Sequence, residues 1–226
     1  MAELGRRDRK KQQTRAALIA AALRLADERG LDQITVEDIS EAADVSSRTF
    51  FNYFGSKDEA ITSDFVVEDE PLPARFLAVP AGIPVIAAVR LALLPAIVQI
   101  EADRELWKVR MRVIEANPTL LPRLFANIAE GERALIDAVA TRTGVGADHT
   151  YPQLVVAVAG AAVRTAMTRW AATGAERSLG GLLDEAFMYL ASGLPDPIAP
   201  EDLIRATALP TLAHQVGRTI TSKEDS

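Results

Sequence analysis

No cysteine occurs among the 226 residues, which excludes disulfides, thiolate zinc sites, iron–sulfur ligation and a cysteine nucleophile. Histidine is almost as scarce. His149 and His214 stand 65 positions apart at the ends of predicted segments, where each reads as structural or surface. The chain also lacks a phosphate-binding loop, a dinucleotide fingerprint, a GxSxG elbow and an HExxH pair, and Gly144-Val145-Gly146 is only a helix terminator. No constellation offers a positioned nucleophile or acid–base pair, so neither catalysis nor a metal or other cofactor is expected. Positive charge is short too: 25 Lys plus Arg against 31 Asp plus Glu give a net charge of -6, which argues against a protein that coats nucleic acid. The N-terminal MAELGRRDRKKQQTR has no apolar stretch followed by a small-residue cleavage site, so no secretory signal is expected and the cytoplasm is the expected compartment.

Long hydrophobic runs are limited to residues 77–100, apolar except for Arg90 and Gln99. Arg90 near the middle would cost about 2.5–3.5 kcal/mol on insertion, and Pro80, Pro84 and Pro95 interrupt the helix. The run therefore reads as a buried helix of a soluble protein, with no membrane partner. With 49% hydrophobic and 25% charged residues, the chain is long enough for a sizeable core. Its charge is unevenly spread. Residues 1–24 hold seven basic and two acidic side chains, a surplus of five, so the remaining 202 residues carry -11. A short basic arm ahead of a first helix serves either as a phosphate or minor-groove contact or as a solvated tail.

From residue 11 to 29, Ile19, Ala22, Leu23 and Ala26 recur at helical spacing, and Gly30 closes the helix. Thr35 and Asp38 form a capping box that opens a second helix over 36–43. Asp44 marks the turn, because Asp tolerates left-handed dihedrals. Ser46 or Ser47 caps a third helix that runs through Tyr53, and Ser56-Lys57-Asp58-Glu59 is a further capping box that opens a fourth. Ile39, Ala43, Val45, Phe50 and Phe54 face the first helix, which leaves Ser47, Arg48, Phe51, Asn52 and Tyr53 on the outer face of the third. The arrangement fits a helix-turn-helix or a generic small helical bundle.

The segment TVEDISEAADVSSRTFFNYFGSKDE resembles the DNA-binding signature of the TetR family of bacterial transcriptional regulators. It departs from the pattern twice. Asp44 stands where the family usually has glycine, and Phe51 where it often has tyrosine, so a phosphate hydrogen bond is missing there while contact with a thymine methyl remains open. The resemblance implies an all-α fold: a helix-turn-helix DNA-binding domain over 1–60, and a larger helical effector-binding and dimerisation domain over 61–226 with a flexible tail after about 210. It implies a homodimer that sets two third helices into major grooves roughly 34–36 Å apart on a pseudo-palindromic double-stranded operator. Thr35, Ser46 and Ser47 then meet phosphates near helix N-termini, Arg48 and Asn52 read base edges, Tyr53 and Lys57 resemble the family's phosphate contacts, and Thr49 belongs to the same DNA-binding set.

Beyond residue 67, Glu68-Asp69-Glu70 with Pro71, Pro73 and Pro80 reads as a solvated break rather than a metal site. Helices are expected over 101–116, 120–143, from Thr150 to about 173, and over 179–192, with another near 201–209. The stretch 154–163 is apolar on every side and must be buried within the protein or between subunits. By resemblance, the helices at 150–173 and 179–193 pair with their copies in a dimer. Trp107, Arg110, Met111, Arg112, Phe125, Met167 and Trp170 are the candidate effector contacts, each readable as plain core or as salt-bridging surface instead. The stretch 106–190 resembles the ligand domains of mycofactocin-type regulators, which implies an acyl-CoA-like ligand. The expected function is a repressor released by a small apolar effector. Its rival is a hydrophobic-ligand-binding helical protein whose helix-turn-helix no longer binds DNA, against which stand the basic arm, Arg48 and Asn52.

Overall fold

The computed structural model describes residues 5–63, 70–173 and 177–195, and among these the regular elements are all helical. Helix α1 (Arg6–Arg29) starts at the first residue after Gly5, five positions earlier than its apolar periodicity suggests. Arg, Lys and Gln are good helix formers. The basic residues from Arg6 onward are therefore the opening turns of α1 and not an arm ahead of it. Leu18, Ile19, Ala22, Leu23 and Ala26 are buried along one face, and Gly30, at a φ of 89°, ends the helix while its amide still donates to the Ala26 carbonyl.

After a 3-10 turn (Leu31–Gln33) come α2 (Val36–Ala42), α3 (Ser47–Phe51) and α4 (Lys57–Thr62). They pack on α1 through Ile39, Phe50, Phe54, Ala60 and Ile61. Glu68 and Asp69 of the acidic triplet lie outside the described residues. Where a plain break was expected, α5 (Leu72–Ala78) makes two turns, with Pro73 in the first turn, where its missing amide costs nothing, and Phe76 fully buried beneath.

Helix α6 (Val85–Ala102) follows Pro84 and keeps Pro95 within its run, so that proline does not divide the helix. Leu91 and Pro95 are both on the exposed side, where water can reach the carbonyl that loses its amide partner. The helix expected over 101–116 starts only at Arg104, because the backbone breaks at Asp103, and it forms α7 (Arg104–Ala116). Asn117 and a 3-10 turn (Pro118–Leu120) lead into α8 (Leu121–Thr143), which Gly144 ends in the left-handed conformation. His149 caps α9 (Thr150–Ala172): its Nδ1 accepts the Tyr151 amide at 3.0 Å. The last described helix is α10 (Leu179–Ala191), and the expected helix near 201–209 and His214 fall outside the described residues.

Two apolar cores result. One joins α1–α4 to Val113 and Ile114 of α7 and to Leu120. The other is built from α5, α6, α9, α10 and the second half of α8, and is centred on Phe76, Val139, Trp170 and Leu183. Arg142 fastens the α5–α6 connection by donating to the carbonyls of Val79, Pro80 and Ile83, while Arg90–Asp184 and the Glu101 carboxylate on the Leu179 amide join α6 to α10. By length and composition α6 and α9 are apolar enough to cross a membrane, yet both contribute buried residues to this second core. Helix α9 is not buried on all sides within one chain: Val155, Val156, Ala159 and Ala162 are covered, but Leu154 is 56% exposed and Ala157 and Ala161 are open to solvent.

Candidate nucleic-acid interface

Local hydrogen bonds that short sequence spacings dictate set the helix-turn-helix geometry. The Thr35 hydroxyl accepts the Asp38 amide at 3.1 Å, and the Asp38 carboxylate takes the Thr35 amide at 2.8 Å and its hydroxyl at 2.7 Å. These bonds, the hydroxyl's first and the amide's next, hold the Asp38 carboxyl below the usual carboxylate range. At the far end of α2, the Val45 amide donates to the Ser40 carbonyl at 2.9 Å and the Asp44 amide to that of Glu41 at 3.0 Å, the paired bonds of a Schellman turn. Asp44 takes the left-handed position with φ 54°.

Ser46 then caps α3 by accepting the Thr49 amide at 3.2 Å, and its hydroxyl also meets that of Thr49 at 2.9 Å. Helix α3 is two residues shorter than expected, but Asn52 keeps helical dihedrals, so the Arg48-to-Asn52 spacing still stacks the two on one face. Phe50 and Phe54 anchor the opposite face, with ring centroids 5.7 Å apart, and the Arg15 guanidinium lies 5.3 Å from the Phe54 ring.

The outer surface is thus Arg48, Phe51 (57% exposed) and Asn52, with Ser47 half-buried at its base. Thr35 and Ser46 sit at the N-caps of α2 and α3, exposed. Thr49 is half-buried beside Ser46, and Tyr53 is half-buried against the first core. Lys57 lies differently from the rest: its ammonium donates to the carbonyls of Leu31 at 2.7 Å and Ile34 at 2.9 Å. Arg9, Lys10 and Lys11 are exposed on the first turns of α1.

Side-chain bridges that sequence reasoning missed attach this unit to the rest of the chain. Arg112 of α7 forks onto Asp27 of α1, with its Nε at 3.0 Å from Oδ1. Arg123 of α8 meets Glu59 of α4 at 2.8 Å, and the Asn127 side-chain amide donates to the Thr62 carbonyl at 3.0 Å. Partners 64 to 85 positions apart leave no local signal. Arg112 was visible only as an arginine without a named partner, and Glu59 as the acidic member of a capping box, where it accepts the Gly55 amide at 2.9 Å.

The seven effector candidates do not gather in one place. Trp170 is fully buried in the second core, with Met167 and Trp107 packed on it, the two indoles 5.3 Å apart and the Arg104 guanidinium 4.5 Å from the Trp170 ring. Met111 packs against the first core instead, Arg110 is buried at 7% exposure, Arg112 faces α1, and Phe125 is 61% exposed on α8. Beside them, an open groove of about 460 Å³ runs between α1 and the α6–α7 joint, bounded by Arg24, Arg104, Leu106 and Val109. Among the described residues no cluster of His, Asp and Glu has the makings of a metal site.

Comparison with known proteins agrees with this architecture. Residues 18–60 match the family model for bacterial regulatory proteins of the tetR family, and residues 83–195 match that for the MftR C-terminal domain. The HTH-type transcriptional regulator TcmR of Streptomyces glaucescens is 34% identical over 173 residues, 74% of this chain and 76% of its own. In fold the chain is similar to the fatty acid degradation regulator FadR from Bacillus halodurans, at a TM-score of 0.54 and 17% identity over 85% of this chain and 98% of that one. It is likewise similar to SmeT, solved in complex with triclosan, at a TM-score of 0.50 and 16% identity over 82% and 99% of the two chains. The capped helix-turn-helix, the helical body behind it and these matches make the chain a member of the TetR family of bacterial transcriptional regulators.

Proposed function

We propose that this regulator binds a pseudo-palindromic duplex as a homodimer and represses transcription until a small apolar effector releases it. The carrying observation is the exposed face of Arg48, Phe51 and Asn52 on a helix capped at one end and anchored by Phe50 and Phe54 behind. Arg48 and Asn52 read guanine and adenine edges, Phe51 meets a thymine methyl, and Thr35, Ser46, Ser47, Thr49 and Tyr53 lie along the phosphates. Exposed Tyr151 and Leu154 on α9 and Met188 and Tyr189 on α10, with Ala157 and Ala161 allowing close approach, supply the dimer face. The effector lies against Trp107 and Met167 beside the buried Trp170, the candidates that meet in the second core, with the buried Arg110, one turn along α7 from Trp107, the cation for an anionic head. The class of ligand is the one that the resemblance of residues 106–190 to mycofactocin-type regulators implies, an acyl-CoA-like molecule. The regulator works in the cytoplasm, without a membrane.

The test is selection of duplexes from a random pool, followed by affinity measured against salt. A palindrome should be enriched, and the affinity should fall steeply with salt, by about 0.9 in log–log slope per phosphate neutralised. No enrichment, or weak binding indifferent to salt, would remove the reading. A thermal-shift series of acyl-CoAs and free fatty acids then tests the effector class: a rise with the former and release of the duplex support it, and no shift with any chain length rejects it.

A further inference from the structure

The open groove between α1 and the joint of α6 with α7 has no part in the readings above, since none of its lining residues belongs to α3 or to the indole pair. Its volume of about 460 Å³ falls within the range of small-molecule pockets, roughly 300–1,000 Å³. Ala20, Ala102, Leu106 and Val109 make it apolar, and the two alanines are short enough to leave room. Leu106 and Val109 pack on the first core yet stay only partly buried, so the groove keeps apolar surface in water.

Arg24, Arg104, Asp103 and Glu105 stand around it, two charges of each sign. Two of the four are already engaged: Arg104 donates to the Trp170 carbonyl at 3.0 Å and lies over its ring, and Glu105 takes the Lys108 ammonium at 2.7 Å. Arg24 spends only its Nε, on the Ala20 carbonyl one turn back at 3.1 Å, and no carboxylate pairs with it among the described residues. Asp103 stands at the N-cap of α7, but its side chain caps no amide there. Both are exposed. The α1 wall thus offers one open cation and the α6–α7 joint one open carboxylate, across an apolar floor.

We propose that this groove binds a small apolar zwitterion of dipeptide size, with its carboxylate on the Arg24 guanidinium, its ammonium on Asp103 and its side chains over Leu106 and Val109. An anion alone would meet Asp103 and a cation alone would meet Arg24, whereas a ligand with both charges leaves neither group opposed. A guanidinium also matches a carboxylate through two parallel hydrogen bonds. The ligand touches α1 and α7 at once and so ties the DNA-binding unit to the helix that carries Trp107. Trp107 itself projects from a different face of α7, because helix residues one or two positions apart do not face the same way. The groove is therefore a site separate from that of the effector, and it stands or falls without the DNA-binding reading.

The test is a calorimetric titration of the intact protein with leucyl-leucine, repeated with its N-acetyl form and its C-terminal amide, each of which lacks one charge. Leucyl-leucine should bind and raise the Tm, and each blocked form should bind about tenfold more weakly. Arg24→Gln should weaken leucyl-leucine about tenfold and leave the amide unchanged, and Asp103→Asn should do the same to leucyl-leucine and leave the N-acetyl form unchanged. Both positions are exposed, so both variants should keep the parent's circular dichroism. No binding of leucyl-leucine to the parent overturns the proposal, as does equal binding of the blocked forms or an affinity that neither substitution changes. Loss of binding in Trp107→Phe, with both groove variants unaffected, would assign the dipeptide to the effector site and overturn it too.

Discussion

Asp44 carries a side chain in a left-handed position, with φ 54°, at the point where α2 hands over to α3. Its amide and that of Val45 close the turn, so the conformation is held by hydrogen bonds and not by the absence of a Cβ. Asp44→Gly should therefore raise stability to chemical denaturation by about 0.5–1 kcal/mol, and Asp44→Val should lower it by more than that. On the neighbouring helix, Arg48→Ala should relax preference at one base position by about 1–3 kcal/mol, measured by competition among single-base variants of the selected palindrome. An equal loss on every sequence would assign Arg48 to the backbone instead. At this scale the sequence was legible wherever the partner lay three or four positions away: Thr35 with Asp38, Ser46 with Thr49 and Ser56 with Glu59 all bond as their spacing predicts. It was mute about Arg112, whose charge suited an anionic effector equally well until Asp27 appeared beside it.

Among the elements, α7 serves two masters. Its first half is fixed to the end of α9, where Arg104 donates to the Trp170 carbonyl at 3.0 Å and Trp107 meets Trp170. Its second half belongs to the first core through Val113 and Ile114, with the Arg112–Asp27 fork alongside. The Arg112 hydrogen bond is the chief cause that holds the Asp27 carboxyl below its ordinary range, against a smaller opposing effect of desolvation. A depressed carboxylate contributes stability that is present above the unfolded pKa, near 4, and is lost as pH falls through the lower folded value. The stability gap between the parent and Arg112→Met should accordingly be present at neutral pH and close on acidification below about 4, as read from denaturant midpoints. A gap that persists at low pH would mean packing, not charge, joins α7 to α1. Element boundaries were the least legible feature. Pro95 sits inside α6 because its side faces water, whereas the run into α7 breaks at Asp103, where no proline or glycine gives warning.

For the whole molecule, the net charge of -6 averages unlike parts, and the surplus of five positive charges over residues 1–24 now falls mostly on α1. Acidity elsewhere disfavours indiscriminate coating of DNA, and the operator contacts proposed above fall on the α2–α3 unit, beside the basic start of α1. The two apolar cores were only partly legible, since the first borrows Val113, Ile114 and Leu120 from beyond the helix-turn-helix signature. Periodicity within a helix says which face is apolar but not which of two cores it joins. The open apolar side of α9 is where assembly should show. Leu154→Glu, at an exposed position, should leave the fold intact by circular dichroism, yield monomers in sedimentation and weaken binding to a palindrome far more than to a half-site. Dimers that survive it would move the interface off α9.

Trp107 and Trp170 are the chain's two tryptophans, and they lie ring to ring at the end of α7 remote from the Asp27 fork. Native indole emission therefore has a single origin, one with an arginine poised over its more buried partner. Unlabelled protein carries its own optical gauge of the α7–α9 joint, so a titration with duplex reports whether occupancy at α3 is felt at the opposite end of the lever. Since coupling between sites is reciprocal, a spectral response to DNA would place the α7–α9 joint on the path between α3 and the effector site proposed above.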